Sequence, residues 1–194
     1  MDRAQAGHGA MGDMGVHVID LIRWSFGEFK QLTAQVGIAY PGRTVPGTST
    51  IVDSEDFCTV TAELASGAHL NMFTSRAARG TAEQTLEAYG AAGALQYRLE
   101  REKPRWWRGE LRAAAKGSGF ASVKVSAGLP RSAGEGDALE VTGKTTIGPL
   151  VKRFLAAARK GDSPSPSFED GMRAQAVLDA VLESVASGGR MVSI

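Results

Sequence analysis

Four side chains near the start of the sequence, Asp13, His17, Asp20 and Trp24, have the types and spacing for acid–base work. They fall at i, i+4, i+7 and i+11, so on an α-helix at 100° per residue all four project from one side. A carboxylate, an imidazole and a second carboxylate then stand in line. Imidazole titrates near neutrality, so His17 is suited to carry a proton, and a neighbouring carboxylate would orient it and raise its basicity. Asp13 also falls in the first turn, where the positive end of the helix dipole favours its charge. The same spacing suits a plain helix-start acid followed by a partly buried, hydrogen-bonded histidine, and spacing alone does not choose between the two. A metal centre built from Asp13, His17 and Asp20 is not expected, because three ligands on one helix rarely converge on a point.

A helix over 12–26 must carry these residues. Met14, Val18, Leu21 and Ile22 recur at the spacing of one apolar stripe, and Gly27 ends the helix. Strand patterns follow. Leu32, Ala34, Val36, Ile38 and Tyr40 alternate with polar or small partners over 31–40, and 41–54 is a Gly/Pro/Ser/Thr-rich loop. Two strands over 57–64 and 69–75 are joined through Ala65, Ser66, Gly67 and Ala68, and a second pair over 84–89 and 95–99 turns at Ala92 and Gly93. Trp106, Trp107, Phe120, Val123 and Val125 suggest one or two more strands over 105–125, and a Gly/Ser-rich connection spans 126–136. Pro149 opens a helix running to about Arg159 and ended by Gly161. Ser167 and Asp170 form a capping-box pattern for a last helix with Met172, Val177, Leu178, Val181, Leu182 and Val185 on its apolar face. A short strand over 191–194 follows. Strands and helices are segregated along the chain, which predicts an α+β fold: a predominantly antiparallel sheet with helices packed on one face. The other face needs solvent or a partner subunit to cover it.

The helix that carries Asp13 and His17 has a family resemblance. Gly12 to Leu21, with Gly9 four residues before Asp13, resembles the G-x-x-x-D-x-G-x-H-x-x-D segment that opens the second domain of Gfo/Idh/MocA oxidoreductases. Glu87-Ala88-Tyr89-Gly90 followed by Gly93 resembles that family's E-x-Y-G-x-x-G hairpin. Pro166 to Gly171 with Arg173-Ala174 resembles its terminal helix entry. The resemblance implies a C-terminal substrate and oligomerisation domain over 12–194, with 1–11 a remnant of the inter-domain connection and the N-terminal dinucleotide-binding domain absent. It implies hydride transfer between NAD or NADP and a hydroxyl of a sugar, polyol or derivative. His17 would be the general base and Asp13 its orienting carboxylate, with Asp20 and His8 as candidate substrate contacts. It also implies that this chain alone is inactive and binds no cofactor tightly. The alternative is a non-catalytic ligand-binding or oligomerisation module that keeps the fold.

Two motifs invite other readings. Glu102-Lys103-Pro104 matches the family's lysine motif in letters, but it falls about 85 residues after His17 instead of upstream of it, so Lys103 is not expected to be catalytic. Gly7, Gly9 and Gly12 form a G-x-G-x-x-G, yet only six polar and small residues precede it and Glu28 does not end the following strand. A dinucleotide fingerprint needs both features. The arginines and tryptophans of 98–116 could stack on bases, but a net charge of +1 over 194 residues gives no polyanion footprint. A lone cysteine, Cys58, forms no internal disulfide, and no apolar run approaches the roughly 20 residues of a membrane span. The expected location is the cytoplasm and the expected partners are a sugar- or polyol-like small molecule and further copies of the chain.

Overall fold

The computed structural model describes residues 7–100, 108–124 and 138–194. Lys103, Trp106, Trp107, Val125 and the connection over 126–136 lie outside the described residues. In chain order, a π-type turn (Met11–Gly15) runs into α1 (Val16–Phe26). Then come β1 (Phe29–Gly37), β2 (Phe57–Leu64), β3 (His69–Ser75), β4 (Glu83–Gly90), β5 (Gly93–Glu100), β6 (Arg108–Ala115) and β7 (Ala121–Ser122). A short α2 (Ala138–Thr142), a second π-type turn (Gly143–Ile147), α3 (Gly148–Lys160), α4 (Phe168–Ala186) and β8 (Val192–Ser193) complete the chain. The fold is α+β, as the segregated pattern predicts. Among the described residues the strands form two four-stranded antiparallel sheets, β3-β2-β1-β8 and β4-β5-β6-β7, and not one. Contacts divide the chain into two compact units, residues 1–78 with 165–194 and residues 79–164. Among the described residues no helix is long and apolar enough to cross a membrane.

In the first unit the period-two pattern decides which face each side chain takes. Leu32, Ala34, Val36, Cys58, Val60, Ala62, Leu64, Leu70 and Met72 point into the core beneath α1 and α4, which contribute Ile19, Ile22, Ala174, Val177, Leu178 and Val181. Thr59, Thr61 and Asn71 take the opposite face, where Phe73 is also exposed. The β2–β3 hairpin closes with Leu64 N–H donating to Ala68 at 2.8 Å, and Gly67 supplies the positive φ of 84° that its turn requires. Ser184 of α4 is fully buried and fully used: its hydroxyl accepts from Ala34 N–H at 2.9 Å and donates to Arg190 C=O at 2.7 Å.

Two expectations about helix faces need correction. The deepest row of the first helix is Met11, Gly15, Ile19 and Ile22, with Met14, Val18 and Leu21 only half-buried beside it. The centre shifts because Gly15 has no side chain; the Met11 sulfur occupies the space its Cβ would take. Met172 of α4 is 65% exposed and not part of the buried face. The capping box itself is present: Asp170 N–H donates to Ser167 Oγ, and Asp170 Oδ2 accepts from Ser167 N–H at 2.7 Å.

In the second unit, Leu86, Tyr97 and Leu111 stand opposite one another across β4, β5 and β6, as do Ala88, Leu95 and Ala113. The other face carries Thr85, Arg98 and Glu110 in one row and Glu87, Gln96 and Arg112 in the next. Glu87 accepts hydrogen bonds from Tyr89 Oη at 2.7 Å and Gln96 Nε2 at 3.1 Å, so the hairpin's glutamate is occupied within the sheet. Pro149 lies in the first turn of α3, and Gly161 ends that helix in the left-handed region at φ 75°.

Candidate active site

The start of the first helix is held by a residue far away in sequence. Glu55, buried just before β2, accepts at one carboxylate oxygen from Gly9 N–H (2.7 Å) and Met11 N–H (3.1 Å). Its backbone C=O accepts from Ala10 N–H at 3.0 Å. An anion here satisfies amides that the helix itself leaves unpaired and complements the positive end of its dipole. Close approach is the condition: any Cβ on Gly9 would collide with the backbone of Glu55, and one on Gly12 with the side chain of His8. Gly9 and Gly12 therefore serve packing, whereas Gly7 supplies a positive φ of 72°. The Gly9 and Met11 amides, which would be needed to cradle a pyrophosphate, are already bonded to a carboxylate, so this turn does not fit a dinucleotide.

On the helix so fixed, Asp13, His17, Asp20 and Trp24 are all exposed, on the side away from the core. The shared face expected from the spacing is present. Asp13 lies in the π-type turn, and Arg76, the residue after β3, donates from Nη2 to Asp13 Oδ2. His17 follows four residues later, in the first turn of α1. Asp20 faces Arg23 at 3.6 Å, and Trp24 is 83% exposed. His8 precedes the helix, half-buried, and its Nδ1 is shielded from solvent with no hydrogen-bond partner among the described residues. No group of three His, Cys, Asp or Glu side chains among the described residues is placed to hold a metal.

Glu55 and Arg76 carry the local geometry, and sequence reasoning missed both. Glu55 belongs to an ordinary acidic stretch and Arg76 to a strand end, and their partners lie 44–46 and 63 residues away. Asp56, next to Glu55, completes the frame. Its carboxylate accepts from Arg43 Nη1 (2.7 Å), Ala39 N–H (2.8 Å) and Tyr40 N–H (3.3 Å), and the Arg43 contact above all holds it below the usual carboxylate range. Cys58 takes no part: burial pushes its thiol up to about 12, so it stays protonated and unreactive.

At the far end of α1, Arg23 is buried. It donates to both Glu28 oxygens (2.7 and 2.9 Å) and to the Asp170 backbone C=O (2.8 Å). Arg173 of α4 also reaches Glu28 at 3.2 Å. These ties join α1, the entry to β1 and the start of α4, and they keep the Asp13–His17 helix pressed on the sheet.

An α+β domain with an acid and an imidazole one turn apart on an exposed, clamped helix start is the class these features define. Residues 1–96 match the family model of the GFO/IDH/MocA C-terminal domain, and the chain belongs to that family. It is 32% identical, over 93% of its length, to levoglucosan dehydrogenase of Pseudarthrobacter phenanthrenivorans. Among solved structures it resembles levoglucosan dehydrogenase in complex with NADH and L-sorbose, at 30% identity, a TM-score of 0.77 and coverage of 97% of this chain and 50% of that one. It also shares the fold of an NAD-binding oxidoreductase from Klebsiella pneumoniae, at 23% identity, a TM-score of 0.77 and coverage of 100% of this chain and 52% of that one. The chain spans about half the length of the curated relative it matches.

Proposed function

We propose that this chain is the substrate-side domain of an oxidoreductase that transfers hydride between NAD or NADP and a hydroxyl of a sugar, polyol or related compound. The observation that carries the reading is Asp13, held by Arg76, one turn before an exposed His17 on a helix start clamped by Glu55. In the oxidising direction His17 accepts the substrate's hydroxyl proton, and Asp13 polarises the imidazole electrostatically from the preceding turn. Asp20 and His8 are the candidate substrate contacts, one from the same exposed face and the other through Nδ1, which has no hydrogen-bond partner among the described residues. The names of the relatives support a sugar-like substrate: levoglucosan and L-sorbose are each found in complexes of levoglucosan dehydrogenase with NADH. The nicotinamide would supply the redox chemistry, but residues 7–12 do not cradle its dinucleotide. On its own this chain is therefore expected to be inactive and to bind no cofactor tightly.

The test is NAD(P)H formation from levoglucosan, L-sorbose and simple polyols by the protein as the cell makes it. His17→Ala should lower kcat by about 10²–10⁴. Full activity in that variant would remove His17 from the mechanism. Sugar binding with no NAD(P)-linked turnover would favour the non-catalytic module, a reading that the Glu55-capped amides also support. Assembly as a homodimer or larger through the outer face of the first sheet, where Phe73 is exposed, and a cytoplasmic location belong to the same proposal. A monomeric mass by light scattering at micromolar concentration would count against that assembly.

A further inference from the structure

We propose that Arg76 is a positioning residue for the reaction, holding the Asp13 carboxylate in the orientation from which it acts on His17. This rests on the reading above, in which Asp13 and His17 handle the proton. Three observations carry it.

First, Arg76 Nη2 donates directly to Asp13 Oδ2, so that oxygen is committed to the guanidinium. Second, the two ends of this bond are fixed to adjacent residues, one to Glu55 and the other to Asp56. Glu55 clamps the turn that leads to Asp13, through Gly9, Ala10 and Met11. Asp56 C=O accepts Arg76 N–H at 2.8 Å, and Asp56 is itself tied to Gly37 through its own N–H at 2.8 Å. Beyond Arg76, Ser75 Oγ accepts from Ala77 N–H at 3.0 Å and Ala78 N–H at 3.1 Å, which sets the direction in which the chain leaves the strand. The guanidinium and the carboxylate are thus brought together by backbone held at both sides, and not by two free side chains meeting on a surface. Third, the side chains of Arg76 and Asp13 are 46% and 43% exposed. An ion pair this open to water adds little to folding. Its consequence is geometric: it selects one rotamer of Asp13 on the face that carries His17.

A misplacement of about 1 Å in a catalytic group can cost about 10²-fold in rate. Arg76→Ala, in the protein as the cell makes it, should therefore lower kcat by about 10- to 100-fold and leave KM nearly unchanged. Arg76→Lys should recover most of the loss, because a single charge-assisted donor to one carboxylate oxygen is all the geometry asks for. Residues that act as one unit are not additive, so Arg76→Ala combined with Asp13→Asn should be no slower than Asp13→Asn alone. Thermal unfolding of the variants should match the parent. An independent readout of the contact is the side-chain nitrogen NMR signals of Arg76. They should be shifted and slowed in exchange in the parent, and should join those of solvated arginines in Asp13→Asn.

Each failure has its own meaning. A parent protein with no turnover of any sugar or polyol overturns the functional reading and this proposal with it. An active parent overturns the positioning role alone if Arg76→Ala keeps its kcat, if its loss lies in KM only, or if its effect adds in full to that of Asp13→Asn. Arg76 signals unmoved by Asp13→Asn would do the same from the structural side.

Discussion

The guanidinium of Arg23 is buried and its partner is not: its side chain is 4% exposed, while Glu28 keeps 43%. The asymmetry decides what its loss would do. Glu28 can rehydrate and lean on Arg173, but the Asp170 carbonyl and the packing of the arginine stem would be lost. Hydrogen bonds to charged groups contribute about 1.5–3 kcal/mol each, and breaking a fully buried pair costs about 3–5. With one partner half in water, Arg23→Ala should destabilise by about 2–3 kcal/mol in chemical denaturation at pH 7; a change below about 0.5 kcal/mol would show the network to be incidental. The same carboxylates set the acid response. The Arg23 hydrogen bond lowers Glu28, and the Arg43 hydrogen bond lowers Asp56. A lowered folded-state value means a contribution fully present above the ordinary carboxylate pKa and lost as pH falls through the lowered one. Stability should be flat from neutrality to about pH 5 and fall below about pH 4, and Asp56→Asn should flatten that fall. Stability rising below pH 4 would contradict the assignment.

At the scale of elements, the last helix shows a local signal that survives folding unchanged. Ser167 and Asp170 satisfy each other's backbone N–H groups, as their spacing predicts, and the helix runs from Phe168. Ser167→Ala should cost about 1 kcal/mol in unfolding free energy, and an unchanged denaturation midpoint would mean that packing alone sets the start of α4. The β2–β3 pair was legible residue by residue for a similar reason: alternation specifies a face, and Gly67 marks the turn. Alternation does not name the neighbouring strand, so the sorting of eight strands into two sheets was not legible. Nor was the centre of the first helix, because counting apolar side chains passes over Gly15 and the Met11 that fills its place. The site divides along the same line. Asp13, His17 and Asp20 share a helix face and could be read from helical periodicity. Glu55, Asp56 and Arg76 meet that helix only after β2 and β3 have paired, and no pattern within a short window encodes such a meeting.

At the scale of the molecule, the two units differ in how much apolar surface they withdraw from water. The first buries a continuous core between its sheet and the α1 and α4 helices. In the second, Leu99 is the one buried hydrophobic residue among those described, while Leu95, Val123, Ile147, Leu150, Val151, Phe154 and Leu155 each remain more than one-third exposed. Backbone ladders in its sheet are complete from Glu83↔Glu100 to Gly90↔Gly93, but hydrogen bonds contribute little net stability when they only replace those made to water. Apolar burial is the larger favourable contribution. The opening free energy of the second unit should therefore lie below that of the first, a sub-global step instead of global unfolding. Amide hydrogen exchange on this chain measures the difference directly. Amides paired across β1, β2 and β3 should exchange at least about tenfold more slowly than those paired across β4, β5 and β6, once intrinsic rates are divided out. Equal protection in the two sheets would mean that they open together, and that the exposed apolar face of α3 is no measure of local stability.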